Sequence, residues 1–363
     1  MTASQIQGRG SPLARLAWAW RHGRLWRYRH MARAGLRFVP IWFRLLFIRH
    51  QCRRSGRKLV TIVLIEHIGD IVACEPVARH IRQTHADTYI VWCIGAPYRS
   101  LIESNPNVDE IIVVGCLTEW ILLKASGVAG KIVDLHPRGR SCRICDVRLK
   151  KTEGDPRINN DNYYDFGNLI GAFSRSAGLS GLENAVPRVY IPSPAMKAVD
   201  ALKLPSQFLI FHARTNEIER NWSDEKWAVL LERLRDEHNI FTIEIGLSAV
   251  MTSTSPLYRS LCGQTGLMEL AEVIRRATMF VGADSGPAHL ANAAGTPGVI
   301  MLGHFKSFQR YLPYSGGYAD GTLAKLIYGD GPATSILVAQ VFTAVTDIWG
   351  QAIRNPRVAQ LSA

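Results

Sequence analysis

A run of seven aliphatic and β-branched residues, 59–65 (LVTIVLI), limits the fold more than any other segment. Such a run is typical of a strand that is buried on both faces of a parallel sheet. The polar sequence EHIGD follows at residues 66–70, and a helical pattern with Pro76 near its first turn comes next. Similar strand runs recur at residues 89–94, 110–114 and 131–135. This repetition of strand and helix predicts right-handed crossovers and a doubly wound α/β sheet.

The same plan begins again after four prolines that lie between residues 186 and 205, a segment that we interpret as a linker. Further strands are expected at residues 208–212, 241–245, 279–282 and 299–302. A chain of 363 residues is long enough for two domains. We therefore expect a basic N-terminal arm and two Rossmann-like domains that face each other across a ligand-binding cleft. Their predicted bounds are 1–58, 59–195 and 205–350.

The predicted arm carries the whole charge excess of the chain. Residues 1–58 contain fourteen Lys or Arg and no Asp or Glu, whereas the rest of the chain is almost neutral. Arginines alternate with aromatic residues such as Trp20, Trp26 and Phe43. This composition favours binding to an anionic membrane surface, since cationic and interfacial aromatic side chains both contribute there. Nucleic-acid binding, a transit segment and a solvated tail are the alternatives.

Neither a membrane-spanning helix nor a signal peptide is expected in the arm. Its longest apolar stretch, residues 38–48, is interrupted by Pro40 and Arg44 and is shorter than the roughly twenty residues that cross a bilayer. No apolar core precedes a small-residue cleavage site. We therefore expect a cytoplasmic protein that lies peripherally at the inner face of the inner membrane.

Seven cysteines, an odd number in a chain of this size, argue against a disulfide framework and for a reducing compartment. Cys142 and Cys145 form the single C-x-x-C pair. No second cysteine pair or histidine cluster lies nearby in the sequence to complete a zinc site. A thiol pair without metal is the favoured interpretation, with metal binding or redox chemistry as the alternative.

Two aspartates occupy equivalent places in the two predicted sheets. Asp70 follows the first strand of the N-terminal domain, and Asp284 follows a strand of the C-terminal domain, each just ahead of a helix. The carboxyl ends of parallel strands form the crevice that binds ligands in such sheets. Either aspartate, however, is also suited to capping its helix. Gly69 favours a site next to Asp70, because it allows close approach of the backbone.

The segment DSGPAH, residues 284–289, has the composition of an anion site. Its small residues and the helix that follows offer unpaired N–H groups and the positive end of the helix dipole to a phosphate. His289 lies one turn into this helix and is suited either to donating to the phosphate or to a satisfied place in the core. Arg214 and Arg220 come after the strand at 208–212 and suit a diphosphate, with two solvated side chains as the alternative.

These residues resemble glycosyltransferase family 9, typified by the ADP-heptose:lipopolysaccharide heptosyltransferases. The strongest element is DSGPAHL at residues 284–290. Weaker elements are IGD at 68–70, NPNVD at 105–109, NW at 221–222 and GQT at 263–265. The resemblance extends from about residue 59 to residue 350 and leaves out the arm.

The resemblance implies a GT-B architecture and an inverting transfer of a sugar, with heptose the first choice, from a nucleotide diphosphate sugar. Asp70 matches the family's general base, and His67 and Gly69 are expected on the acceptor side. The donor that the resemblance implies is ADP-heptose, and the residues expected to bind it are Arg214, Arg220, Thr265, Asp284, Ser285, Gly286 and His289. A lipopolysaccharide core intermediate is the implied acceptor, and neither a metal nor another cofactor is expected.

Two other functions are compatible with the sequence. One is a non-catalytic GT-B-like protein that serves as a membrane-associated scaffold, because a fold alone does not establish activity. The other is an enzyme that transfers a different sugar to an exopolysaccharide or a protein. Asp70 and the intact DSGPAHL block favour the enzyme.

Overall fold

The computed structural model describes residues 24–354 and contains two fully parallel sheets. The N-terminal sheet has the strand order β3-β2-β1-β4. Its strands are β1 (Lys58–Val63), β2 (Thr88–Ile94), β3 (Glu110–Val113) and β4 (Lys131–Asp134). Strand β1 is buried from Leu59 onward and pairs with both β2 and β4, which explains its unbroken aliphatic sequence.

The C-terminal sheet has the order β10-β9-β8-β5-β6-β7. Its strands are β5 (Leu209–His212), β6 (Thr242–Glu244), β7 (Tyr258–Ser260), β8 (Met279–Ala283), β9 (Gly298–Leu302) and β10 (Ala324–Tyr328). Strands β5 and β8 lie at the centre, so the residues that follow them share one edge of the sheet. This arrangement confirms the predicted doubly wound α/β architecture with two Rossmann-like sheets.

Helices cover the faces of both sheets. They are α1 (Arg24–Arg54), α2 (Ile68–Ala73), α3 (Pro76–Thr84), α4 (Ser100–Glu103), α5 (Leu117–Ala125), α6 (Leu169–Ser176), α7 (Ser193–Asp200), α8 (Asp224–His238), α9 (Leu267–Arg276), α10 (Gly286–Ala293) and α11 (Val338–Arg354). One cluster of buried apolar side chains includes Ile71 and Ile170 of the N-terminal domain together with Ala288 and Leu290 of the C-terminal domain. The two domains therefore share part of their core.

The described part of the predicted arm is a single 31-residue helix, α1, which continues through Pro40. Ala34, Leu45, Ile48 and Cys52 recur at helical spacing and are buried against the N-terminal domain. Pro40 is exposed, so water can bond the carbonyl that lacks its helical partner. Packing against the domain therefore outweighs the helix-breaking tendency of Pro40. Residues 1–23, including Trp20, lie outside the described residues, and no described helix is long and apolar enough to cross a membrane.

Two segments are more ordered than their sequences suggest. The predicted linker contains α7, which begins with Pro194 in its first turn and packs against α9. The segment 138–162, whose polar composition is typical of a loop, contains the bridges Ser141 to Arg148 and Arg138 to Asn159. Neither bridge is visible as a periodic pattern, because each depends on a single pair of residues.

Candidate active site at the domain interface

Helices α2 and α10 come from opposite domains and pack directly against each other at the bottom of the cleft. A Cβ atom on Gly69 would lie 2.7 Å from Cδ2 of His289, and one on Gly286 would lie 2.8 Å from Cβ of Ile68. Glycine at these two positions therefore permits the close approach of the domains. Gly69 serves this contact, whereas the sequence had suggested only an approach of ligand to the backbone.

Asp284 lies directly after β8, is buried, and uses both carboxylate oxygens in bonds within the protein. Oδ2 lies 3.1 Å from Nη1 of Arg220 and accepts a hydrogen bond of 3.1 Å from Tyr311. Oδ1 accepts a hydrogen bond of 3.2 Å from Tyr314 and lies 3.5 Å from Nε2 of His289. Burial alone would raise the pKa of Asp284, but the charge of Arg220 and these bonds lower it to about 2. The carboxylate is ionised at neutral pH and holds its partners in place.

Arg220 is the cation that Asp284 holds in the cleft. Its guanidinium carbon lies 3.5 Å above the ring centroid of Phe305, an arrangement that fixes the plane of the group. Burial opposes the charge, but the carboxylate of Asp284 raises the pKa of Arg220 above its ordinary value. Its Nε atom is buried and has no hydrogen-bond partner among residues 24–354. An orphaned buried donor of this kind is costly unless a ligand or water bonds it.

The amino end of α10 carries no side-chain cap. Ser285 occupies the cap position in an extended conformation, and its Oγ atom lies 3.2 Å from Nδ1 of His212 instead of bonding the helix. Burial lowers the pKa of His212 to about 4, so this imidazole is neutral at physiological pH. Asp284 does not cap the helix either, which excludes the capping alternative for it. The first N–H groups of α10 are therefore available to an anion.

Asp70 is the third residue of α2 and is half-buried. Its carboxylate makes no hydrogen bond or ion pair with any other side chain in the described range 24–354. The pKa of Tyr163 is raised mainly by burial and secondly by the charge of Asp70, because the two side chains lie near each other. The cap position of α2 belongs to His67, so Asp70 is not a helix cap. Asp70 is the free carboxylate of the interface.

The loop that leads to Asp70 is held by buried polar groups. Asp134 is completely buried and bonds Nδ1 of His136 at 2.8 Å, and Nε2 of His136 accepts from the backbone N–H of Ile65 at 3.2 Å. His67 adopts a φ of 68°, which is a strained conformation for a residue other than glycine. Arg143 lies 3.0 Å from Nε2 of His67, and burial lowers the pKa of this histidine.

Two features of the cleft were not predicted from the sequence. An aromatic wall spans the interface, in which Tyr164 contacts Phe308 and Tyr311 with ring centroids 5.1 and 4.7 Å apart. Lys306 adds a cation. Its pKa is lowered, mainly by burial and also by the nearby charges of Arg140 and Arg220. The signal for the wall was the three-residue spacing of Phe305, Phe308, Tyr311 and Tyr314, next to the pair Tyr163 and Tyr164.

The structure does not bring all predicted donor residues together. Arg214 pairs with Asp224 at the start of α8 at 2.6 Å and is half-exposed. Thr265 lies half-buried just before α9. In contrast, Arg220, Asp284, Ser285, Gly286 and His289 lie around one end of α10, opposite Asp70, His67 and Gly69.

Parts of the chain match known proteins. Residues 187–315 match the family described as glycosyltransferase family 9 (heptosyltransferase). Over 292 residues the chain is 23% identical to the lipopolysaccharide core heptosyltransferase OpsX of Haemophilus influenzae, covering 71% of this chain and 82% of that protein. These matches confirm the predicted family resemblance.

Two solved structures are similar in fold. The family 9 glycosyltransferase of Veillonella parvula superposes with a TM-score of 0.63 at 18% identity, covering 81% of this chain and 98% of that chain. The ADP-heptose heptosyltransferase II of Escherichia coli superposes with a TM-score of 0.59 at 16% identity, covering 81% and 99%. The predicted GT-B fold is confirmed.

Proposed function

We propose that this chain, whose residues 187–315 match glycosyltransferase family 9, transfers heptose from ADP-heptose to a lipopolysaccharide core acceptor. The observation that carries the proposal is the free carboxylate of Asp70 opposite the anion-binding end of α10 and Arg220. The match to enzymes of sugar transfer favours catalysis over the scaffold alternative. The names of the relatives support heptose and the lipopolysaccharide core.

The proposed reaction is a direct displacement at the anomeric carbon with inversion. Asp70 accepts the proton of the acceptor hydroxyl while the oxygen forms a bond to the anomeric carbon. The bond from that carbon to the diphosphate breaks, and ADP leaves with the electron pair. A positioned base of this kind contributes about 10²–10⁴-fold to the rate.

The C-terminal side of the cleft stabilises the leaving group in this mechanism. Arg220 and the N–H groups at the start of α10 stabilise the negative charge that develops on the leaving diphosphate. Asp284 acts through Arg220: its two oxygens bind Arg220, Tyr311 and Tyr314 and so keep the guanidinium in position. Arg140 and Lys306 add positive charge near Arg220.

The enzymatic proposal is tested with purified protein, ADP-heptose and a core lipid acceptor that lacks heptose. We expect release of ADP, an increase in acceptor mass by one heptose, and an α-linked product from a β-linked donor or the reverse. UDP- and GDP-sugars, an exopolysaccharide fragment and a protein acceptor serve as comparisons. Transfer from one of these donors alone, or retention of anomeric configuration, would contradict the proposal.

We further propose that the outer face of α1 binds the cytoplasmic surface of an anionic membrane. Leu36, Val39, Phe43 and Phe47 recur every three or four residues opposite the buried face, and the side chains of Leu36 and Phe43 are 76% and 60% exposed. Arg49, Arg53 and Arg57 line an open cavity of about 450 Å³ beside the end of the same helix. Apolar insertion combined with arginines suits an anionic lipid surface.

Flotation with vesicles tests the membrane proposal. We expect Phe43→Asp to reduce binding to vesicles that contain anionic phospholipid. Val229→Asp serves as the matched control, because Val229 is similarly apolar and exposed on α8. Equal binding of both variants, or binding that depends on added nucleic acid, would contradict the assignment.

A further inference from the structure

Three metal-ligating side chains from distant parts of the chain meet beside the N-terminal sheet. They are His30 of α1, Cys116 at the start of α5, and Cys142 in the segment 138–162. Nε2 of His30 lies 3.2 Å from Sγ of Cys116 and 4.0 Å from Sγ of Cys142, and all three atoms lie within 4.8 Å of one another. Both cysteines are buried, and His30 is half-buried. The cluster lies outside the catalytic cleft described above.

The spacing of these atoms suits one transition-metal ion. With Zn–S and Zn–N bonds of about 2.3 and 2.0 Å, tetrahedral geometry separates a sulfur from a nitrogen by about 3.6 Å and two sulfurs by about 3.8 Å. The two distances from His30 bracket the first of these values. Thiolate and imidazole ligands together favour zinc over the hard cations magnesium and calcium.

The chain around Cys142 has the form of a metal-binding turn. The backbone N–H of Asp146 donates to the carbonyl of Cys142 at 2.9 Å, and Cys142 donates in turn to Val147 at 2.9 Å. Asp146 has a φ of 58°, which reverses the chain directly after Cys145. This turn aims the sulfur of Cys142 at His30.

A fourth ligand-type side chain lies next to the cluster. Sγ of Cys145 is buried and lies 2.7 Å from Oγ1 of Thr118, two residues after Cys116. A thiol pair without metal was the favoured interpretation of the sequence, because no further ligand lies near Cys142 and Cys145 along the chain. In the fold, His30 contacts Cys116 and Cys142, although these cysteines lie 86 and 112 residues away from it in the sequence.

We propose that His30, Cys116 and Cys142 bind a transition-metal ion such as zinc. The ion fastens the first turns of α1 to the N-terminal domain. The apolar contacts of this helix with the domain begin at Ala34, so His30 is its anchor on the amino-terminal side. The proposal does not depend on the transferase activity.

Metal analysis of the full-length protein, purified without chelators, tests the proposal. We expect about one zinc or iron ion per chain in the wild type and most of it lost in Cys142→Ser and His30→Ala. Cys262→Ser is the matched control, since Cys262 lies in the C-terminal domain and should leave the metal content unchanged. Thermal unfolding establishes that each variant is folded.

Two measurements on the wild type avoid reliance on variants. Replacement by cobalt should produce thiolate-to-metal charge-transfer absorption, and chelation should speed tryptic cleavage at Arg27, Arg29 and Arg33. A metal content no higher than that of Cys142→Ser would overturn the proposal. A Cys116–Cys142 disulfide in the freshly purified protein would do the same.

Discussion

Asp70 and Asp284 follow buried strands of two similar sheets, yet the structure surrounds them differently. Asp284 is buried and bonded through both oxygens to Arg220, Tyr311 and Tyr314. Asp70 is half-buried and has no bonded side-chain partner within residues 24–354. A carboxylate whose lone pairs are all used is suited to positioning, whereas a carboxylate without partners can accept a proton. Equivalent sequence positions thus support two different roles.

The largest expected effect is on catalysis by Asp70→Asn. We predict a fall in kcat of about 10²–10⁴-fold, because the amide cannot accept the hydroxyl proton. The donor dissociation constant and the free energy of unfolding should hardly change, since the carboxylate of Asp70 bonds no other side chain within residues 24–354. Steady-state kinetics and calorimetric titration with ADP measure both quantities. An unchanged kcat would remove Asp70 from the base role.

Asp284→Asn should act on stability and donor affinity together. Removing the charge leaves Arg220 buried without its partner, and breaking a buried pair costs about 3–5 kcal/mol. Asp224→Asn is the matched control, because its pair with the half-exposed Arg214 contributes about 0–1 kcal/mol. Urea unfolding compares the two variants. Equal losses of stability would show that the Asp284 network does not hold the site.

The donor side should also be the more sensitive to acid. The pKa of His212 falls from 6.5 to about 4 in the folded protein because the side chain is buried. The folded state then binds fewer protons than the unfolded state between these values, so stability is lost as pH falls from 6.5 to 4. The full loss from this group is about 3 kcal/mol. Urea unfolding across this range should show a shallower pH dependence in His212→Asn, and an identical dependence would contradict the assignment.

Gly69→Ala probes the contact between the two regions. A methyl group would lie 2.7 Å from His289, so α2 and α10 must separate or repack. We expect a loss of about 1–3 kcal/mol in unfolding free energy and a lower kcat. Gly35→Ala in α1 is the control, because no atom lies within 4 Å of its added Cβ. Similar unfolding midpoints for the two variants would refute the tight contact.

Local sequence predicts the parts of this fold that depend on local patterns. Every strand predicted from an aliphatic run is present to within about two residues, and DSGPAHL begins directly after β8 and contains the start of α10. Helix α1 was not predicted, because Pro40 and Arg44 interrupt its apolar stretch, whereas its packing depends on the burial of Leu45 and Ile48. Segments governed by long-range packing are the ones that local patterns describe least well.

Prediction of the site from the sequence was limited in the same way. Sequence spacing identified Asp70, Arg220 and Asp284 but could not separate a free aspartate from a bonded one. That distinction depends on Tyr311 and Tyr314, which lie about thirty residues from Asp284. The cluster of His30, Cys116 and Cys142 and the pairing of Arg214 with Asp224 likewise result from the fold.

The most direct test of the account is a crystal structure of the protein with ADP and a core acceptor. We predict that the diphosphate accepts hydrogen bonds from Arg220 and from the first N–H groups of α10, and that the acceptor hydroxyl bonds the carboxylate of Asp70. A diphosphate bound away from α10, or an acceptor out of reach of Asp70, would contradict it.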